Sequence, residues 1–149
     1  MTGEFLVDSN LLVYAYDRAE PAKQPVALDI LRRLETNGRG TLSTQVLGEF
    51  FRVVTQKIQD PLDPTDAYDQ LSALTRTWPV LPITTIVVIE AARGVRDHRL
   101  SYWDAQLWAT ARLNQIPVVL SEDFTSGSAL EGVRFLNPLT ASFDRAMLG

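Results

Sequence analysis

Two runs in this chain are apolar at every position, Phe5-Leu6-Val7 and Val118-Val119-Leu120. Strands that are buried on both faces have this continuous pattern, whereas half-exposed strands alternate. The pattern therefore predicts two interior strands of a parallel sheet, over residues 4–8 and 116–120. Thr41-Leu42-Ser43 predicts a brief strand, and Val133-Arg134-Phe135-Leu136 a last one ending at Asn137-Pro138. The segment Val80-Leu81-Pro82-Ile83 reads as extended, but Pro82 confines it to a sheet edge or to the outside.

Between these runs the apolar period changes to that of a helix. Val26, Leu28, Ile30, Leu31 and Leu34 recur at helical spacing behind Pro25, a residue suited to a first turn, and Asn37-Gly38 is a stop signal. Further helices are predicted over residues 45–58, from a cap at Thr65 or Asp66 to Trp78-Pro79, and over 85–97 and 101–114. Residues 10–16 predict a short helix or turn over the sheet edge. In the helix that starts at Ser101, Asp104 occupies the third position, where an acid is favourable. Alternating strands and helices predict a three-layer α/β/α fold around a mostly parallel sheet, with residues 1–149 forming one domain.

The polar positions that interrupt this pattern carry the chemistry. Asp8 directly follows the first interior strand, and Asp123 follows the second after only Ser121 and Glu122. Open α/β sheets build their sites at the carboxyl ends of such strands. Asp104 shares a helix face with Leu107, Trp108 and Ala111, and Glu49 lies between Val46 and Val53 at the edge of an apolar stripe. Alone, each acid has an ordinary explanation: a helix cap, a boundary residue, an Asx turn or a loop acid. Together they place four carboxylates on one edge of the fold, where mutual repulsion calls for a cation.

Composition narrows the choice of cation. The chain has no cysteine and a single histidine, His98, so thiolate and multi-histidine zinc sites are excluded. An all-oxygen donor set favours Mg²⁺ or Mn²⁺, with Ca²⁺ as a further candidate. His98 reads as a surface or helix-end residue. The net charge of −4 does not by itself attract a phosphate backbone, yet two divalent cations at the four acids would offset it. Basic residues that could meet a nucleic acid are Arg93, Arg96 and Arg99 before the Asp104 helix, and Arg32, Arg33 and Arg39 at the end of the first long one. A solvated face explains them equally well. No basic, apolar leader and no membrane-length apolar run is present, so a cytoplasmic location without membrane association is expected.

The four acidic positions in series resemble the PIN-domain nucleases. Val7-Asp8-Ser9-Asn10-Leu11-Leu12-Val13-Tyr14-Ala15 is similar to their opening, and Glu49 within Gln45-Val46-Leu47-Gly48-Glu49-Phe50 to their second acidic position. Ser101-Tyr102-Trp103-Asp104-Ala105 and Leu120-Ser121-Glu122-Asp123-Phe124 are similar to the third and fourth. The resemblance covers nearly the whole chain and is nearest to the VapC-type toxins of toxin–antitoxin pairs. It implies a Mg²⁺- or Mn²⁺-dependent endoribonuclease, a homodimer, held inactive by a VapB-like antitoxin. Asp8, Glu49, Asp104 and Asp123 would then be the catalytic, metal-holding quartet. Ser9, Asn10, Ser121 and Glu122 would be orienting residues around it, with Asp123 preferred to Glu122 for the fourth place. Phe50, Phe51, Val53 and Val54 give the Glu49 helix more apolar surface than one stripe hides. The resemblance implies that part of this surface receives an antitoxin.

Other small α/β folds with clustered acids fit less well. A receiver domain needs a lysine late in the chain, and only Lys23 and Lys57 are present. A haloacid-dehalogenase-type phosphatase needs Asp-x-Asp, and Asp8-Ser9-Asn10 lacks the second aspartate. A non-catalytic binding module of the same fold and a DNA-directed metal nuclease remain as alternatives.

Overall fold

In the computed structural model, which describes residues 3–149, both continuous apolar runs lie at the centre of one sheet. Strand β1 (Phe5–Val7) is flanked by β2 (Gly40–Ser43) and β4 (Val118–Leu120), and all three are fully buried. The sheet order is β3-β2-β1-β4-β6-β5, with β3 at Val80–Leu81, β5 at Ala129–Leu130 and β6 at Val133–Leu136. Every pair is parallel except β5 with β6. The chain builds outward from β1 through β2 to β3, then returns to the other side of β1 with β4. The crevice between β1 and β4 is therefore the topological switch point, where open α/β sheets bind their ligands.

Among the described residues six helices flank the sheet: α1 (Ser9–Tyr14), α2 (Gln24–Asn37), α3 (Thr44–Gln56), α4 (Pro64–Thr77), α5 (Thr85–His98) and α6 (Tyr102–Leu113). The predicted stop of α2 is realised by Gly38, whose φ of 71° puts it in the left-handed region that favours glycine. Trp108, Phe5, Phe50 and Phe135 are the largest fully buried side chains. Trp108 sits where α5 and α6 cross, its indole Nε1 donating to the Leu130 carbonyl at 3.2 Å. Gly94 of α5 lets the helices approach: a Cβ there would lie 2.8 Å from the Trp108 ring.

Some boundaries differ from the pattern for local reasons. Asp63, not Thr65 or Asp66, caps α4, because Pro64 takes the first helical position and the Asp63 carboxylate accepts from the Thr65 amide. Pro82 ends β3 at Leu81, and Pro117, which has no N–H to donate, precedes β4. Strand β5 is absent from the sequence prediction. It turns into β6 through Glu131 and Gly132, with φ of 47° and 86°, and glutamate is an unusual residue for such a turn. A final 3-10 turn, Arg145–Leu148, buries Leu148 and is tied to α2 through Asn37 Nδ2 on the Leu148 carbonyl at 2.7 Å. No helix among the described residues is long and apolar enough to cross a membrane.

Candidate active site

Asp8 and Ser121 are the first residues past the carboxyl ends of β1 and β4, and the sheet register brings them together. The Asp8 amide continues the ladder to the Leu120 carbonyl at 3.0 Å. The Asp8 carboxylate caps α1 by accepting from the Ser9 amide at 2.7 Å, and its other oxygen accepts from Ser121 Oγ at 2.6 Å. Ser121 Oγ also accepts from the Asp123 amide at 3.0 Å, which folds the loop after β4 back toward Asp8. One hydroxyl thus sets the positions of two acids. Asn10 Nδ2 reaches both Asp8 and Ser121, at 3.5 and 3.4 Å. Its Oδ1 is buried without a hydrogen-bond partner among the described residues.

Asp104 and Glu49 arrive on helices. Ser101 caps α6 by accepting from the Asp104 amide at 3.3 Å, which places Asp104 in the first turn. Residues 105–111 of α6 are all buried, and Asp104 is half-buried at the edge of that run. Ser43 caps α3, whose buried stripe of Val46, Leu47, Phe50 and Val54 leaves Glu49 half-buried at its border.

The acids interact with one another. Burial pushes the Asp8 carboxyl up to about 6; hydrogen bonds from Ser121 and the Ser9 amide oppose the rise, and the charges of Asp123 and Asp104 add to it. Glu49 is raised by burial and then by Asp8, against hydrogen bonds from Gln45 and Ser9. Asp123 is raised by burial, Asp104 and Glu122, against a hydrogen bond from Asn10. Among the described residues none of the four acids has a lysine or arginine partner, although ion pairs are common elsewhere. The structure brings all four sequence candidates into one electrostatically coupled cluster, together with Ser9, Asn10 and Ser121.

Glu122 faces elsewhere. Its carboxylate accepts from the Tyr14 hydroxyl and pairs with Lys23 Nζ at 3.2 Å, and Lys23 also donates to the Tyr14 oxygen at 3.1 Å. His98 ends α5, bonded to Glu131 Oε2 at 2.6 Å and set edge-on to Trp108, so its partners include none of the four acids. The arginines singled out in the sequence are largely engaged. Arg93 joins Glu90, Asp97 and Glu131, Arg96 holds Asp97, Arg39 holds Glu4, and Arg33 holds Asp29. The excess apolar surface expected on α3 also shrinks, because Phe50 and Val54 are wholly buried and only Phe51 and Val53 are partly exposed. Basic groups beside the acids that the sequence did not single out are Lys23 and Arg52. The signal for Arg52 was its place one turn beyond Glu49.

The donor chemistry suits a hard divalent cation: carboxylate oxygens and an orphaned amide oxygen, with none of the four acids ion-paired to a lysine or arginine among the described residues. No group of three or more Asp, Glu or His side chains among the described residues is arranged to enclose an ion.

The PIN domain family model matches residues 5–125, and the chain belongs to that family. Solved structures with a similar fold include the toxin VapC20 of Mycobacterium tuberculosis, which cleaves the sarcin–ricin loop. The two share 21% identity and a TM-score of 0.63 over 87% of this chain and 98% of that one. A DNA-bound VapBC complex from Salmonella typhimurium matches at 18% identity and a TM-score of 0.63, covering 91% of this chain and 97% of that one. A toxin–antitoxin complex from Klebsiella pneumoniae matches at 17% identity and a TM-score of 0.62, over 89% and 96%. A search of curated protein sequences finds no match.

Proposed function

We propose that this protein is a metal-dependent endoribonuclease of the VapC type, a toxin restrained by a cognate antitoxin. The observation that carries the proposal is the coupled acidic cluster at the β1–β4 switch point, without a basic partner, in a PIN-family chain. Asp8, Glu49, Asp104 and Asp123 would hold Mg²⁺ or Mn²⁺. When bound, such a cation neutralises charge on phosphoryl oxygens and lowers the pKa of water. Ser121 and Ser9 fix the Asp8 carboxylate, and Asn10 presents an acceptor oxygen to the ion or its water. Glu122 acts indirectly, anchoring the loop that aims Asp123. The chain works as a homodimer in the cytoplasm.

The antitoxin is proposed to lie in a groove of about 300 Å³ between α1 and α3, where Val13, Val53 and Ile58 lead to Ser9 and Asn10. An apolar segment fits that lining, and a basic residue at its end would reach the acids. Co-expression with a small neighbouring gene product tests this part: a complex that cuts RNA as fast as the free chain would rule it out.

The nuclease proposal is tested by incubating single-stranded RNA with purified protein and Mg²⁺ or Mn²⁺. Cleavage should stop with EDTA and fall at least a hundredfold, on the order of a lost electrostatic contact in a transition state, in Asp8→Asn and Asp104→Asn. Undiminished cleavage by both variants would refute it. DNA cut in preference to RNA would instead support the DNA-directed alternative.

A further inference from the structure

Next to Glu49, helices α3 and α6 flank an open cavity of about 410 Å³ whose lining includes Gln45, Gly48, Glu49, Arg52, Trp103 and Gln106. We infer that this cavity is a subsite for one unpaired nucleotide of an RNA strand, its base stacked on Trp103 and its phosphate facing Arg52. The inference rests on the nuclease proposal, because Glu49 is shared between the cavity and the acidic cluster.

Trp103 is the first reason. It immediately precedes Asp104 yet is 62% exposed, a large aromatic surface left uncovered beside the cluster. Its ring meets Tyr102 edge to face, with centroids 5.1 Å apart, so the indole is braced from one side only. Exposed aromatics beside a charged track are how proteins hold single-stranded bases, since every base has a face to stack.

The second reason is Gly48. Glycine inside a helix is destabilising, and it is usually kept there because another group packs close. Here nothing lies within 4 Å of the position a Cβ would take. The residue forms an open floor, and a side chain there would enter the cavity.

The back wall is rigid. Gln45 Nε2 donates to the Trp103 carbonyl at 3.1 Å, Gln106 Nε2 donates to Gln45 Oε1 at 3.1 Å, and the Tyr102 hydroxyl donates to Gln106 Oε1 at 2.8 Å. This chain of bonds ties α3 to α6 and fixes the backbone that carries Trp103. Arg52 is exposed and has no ion-pair partner among the described residues, so its guanidinium is available to a phosphate. A cavity of this size takes a small planar ligand.

Fluorescence tests the subsite, because Trp78 and Trp108 are buried at 5% and 0% exposure and Trp103 supplies the accessible signal. Asp8→Asn protein with Mg²⁺ is titrated with single-stranded RNA hexanucleotides and with a duplex of the same sequence. Single strands should quench the indole and duplex should not. Adding Trp103→Ala should abolish the quench and weaken binding about tenfold, within the range for one stacked base. Trp103→Phe should keep most of the affinity. Gly48→Leu should weaken binding while its Tm holds or rises, which separates an occupied cavity from a folding role. In active protein, Trp103→Ala should raise KM and leave kcat nearly unchanged. Equal affinity of Trp103→Ala and its parent, or equal quenching by duplex, would overturn the subsite. So would conversion of a dimer to a monomer by Trp103→Ala in sedimentation, which would make this face a contact between copies. If the wild-type chain cuts RNA and Trp103→Ala cuts it with the same KM, only the subsite falls. If the wild-type chain neither binds nor cuts RNA, the nuclease proposal falls and takes the subsite with it.

Discussion

Asp8 concentrates the electrostatic cost of this fold in one residue. It is 6% exposed, and its carboxyl is raised from an ordinary 3.8 to about 6. The raised value means that the folded state binds more protons than the unfolded chain between those limits. The metal-free protein should therefore lose stability as pH rises from about 4 through 6, by a few kcal/mol at most from this group. Asp8→Asn removes the charge and should cancel that loss. In EDTA the variant should gain Tm over wild type at pH 8 and gain little or nothing at pH 4. A gain that is equal at both pH values would mean that Asp8 ionises normally in the fold.

Two helix glycines make opposite predictions at the scale of elements. A Cβ at Gly94 of α5 would meet Trp108 at 2.8 and 2.9 Å, and that indole is pinned by the Leu130 carbonyl and by Arg93 over its ring. Gly94→Ala should cost about 1–3 kcal/mol through overpacking, despite its better helix propensity. Gly48→Ala meets nothing and should add about 0.5–1 kcal/mol. Urea unfolding of both variants checks the pair, and a loss of stability in Gly48→Ala would give that glycine a structural role. Sequence alone does not separate these two residues, because both stand inside apolar periodic segments. The difference depends on which helix faces meet, and the same is true of the Trp103 cavity. The interior strands and most helix ends were legible because local rules govern them: continuous apolar runs, Gly38 as a stop, Ser101 as a cap. The turn through Glu131 was not, since tertiary pairing holds a glutamate at a φ of 47°. For the four acids, the pattern gave placement at element ends, and the family resemblance linked them. Which neighbouring groups they would bond, Glu122 to Tyr14 and Lys23 above all, required coordinates.

For the whole molecule, the acids form a region that favours the folded state only when their charge is offset. A cation that binds the native cluster and not the unfolded chain stabilises by mass action, by about 2.7 kcal/mol at a hundredfold excess over Kd. In a chain of this length that amounts to a rise of about 5–10 °C in Tm. Calorimetry with and without Mg²⁺ should show this shift in wild type and much less of it in Asp104→Asn. A wild-type Tm indifferent to Mg²⁺ would take the ion away from these acids.

The sheet order also governs when the four acids can be brought together. Its central pairing joins Phe5–Val7 to Val118–Leu120, and the next strand on that side is β6 at Val133–Leu136. Contacts this distant in sequence form late, because the closure cost precedes their reward. During synthesis from the amino terminus, Asp8 and Glu49 emerge long before Ser121 and Asp123 exist to complete their surroundings. Until residue 121 is made, the growing chain carries at most three of its four acids and lacks the hydroxyl that aligns Asp8. The order of the strands thus ties completion of the acidic cluster to synthesis of the segment that carries β4 and the loop after it.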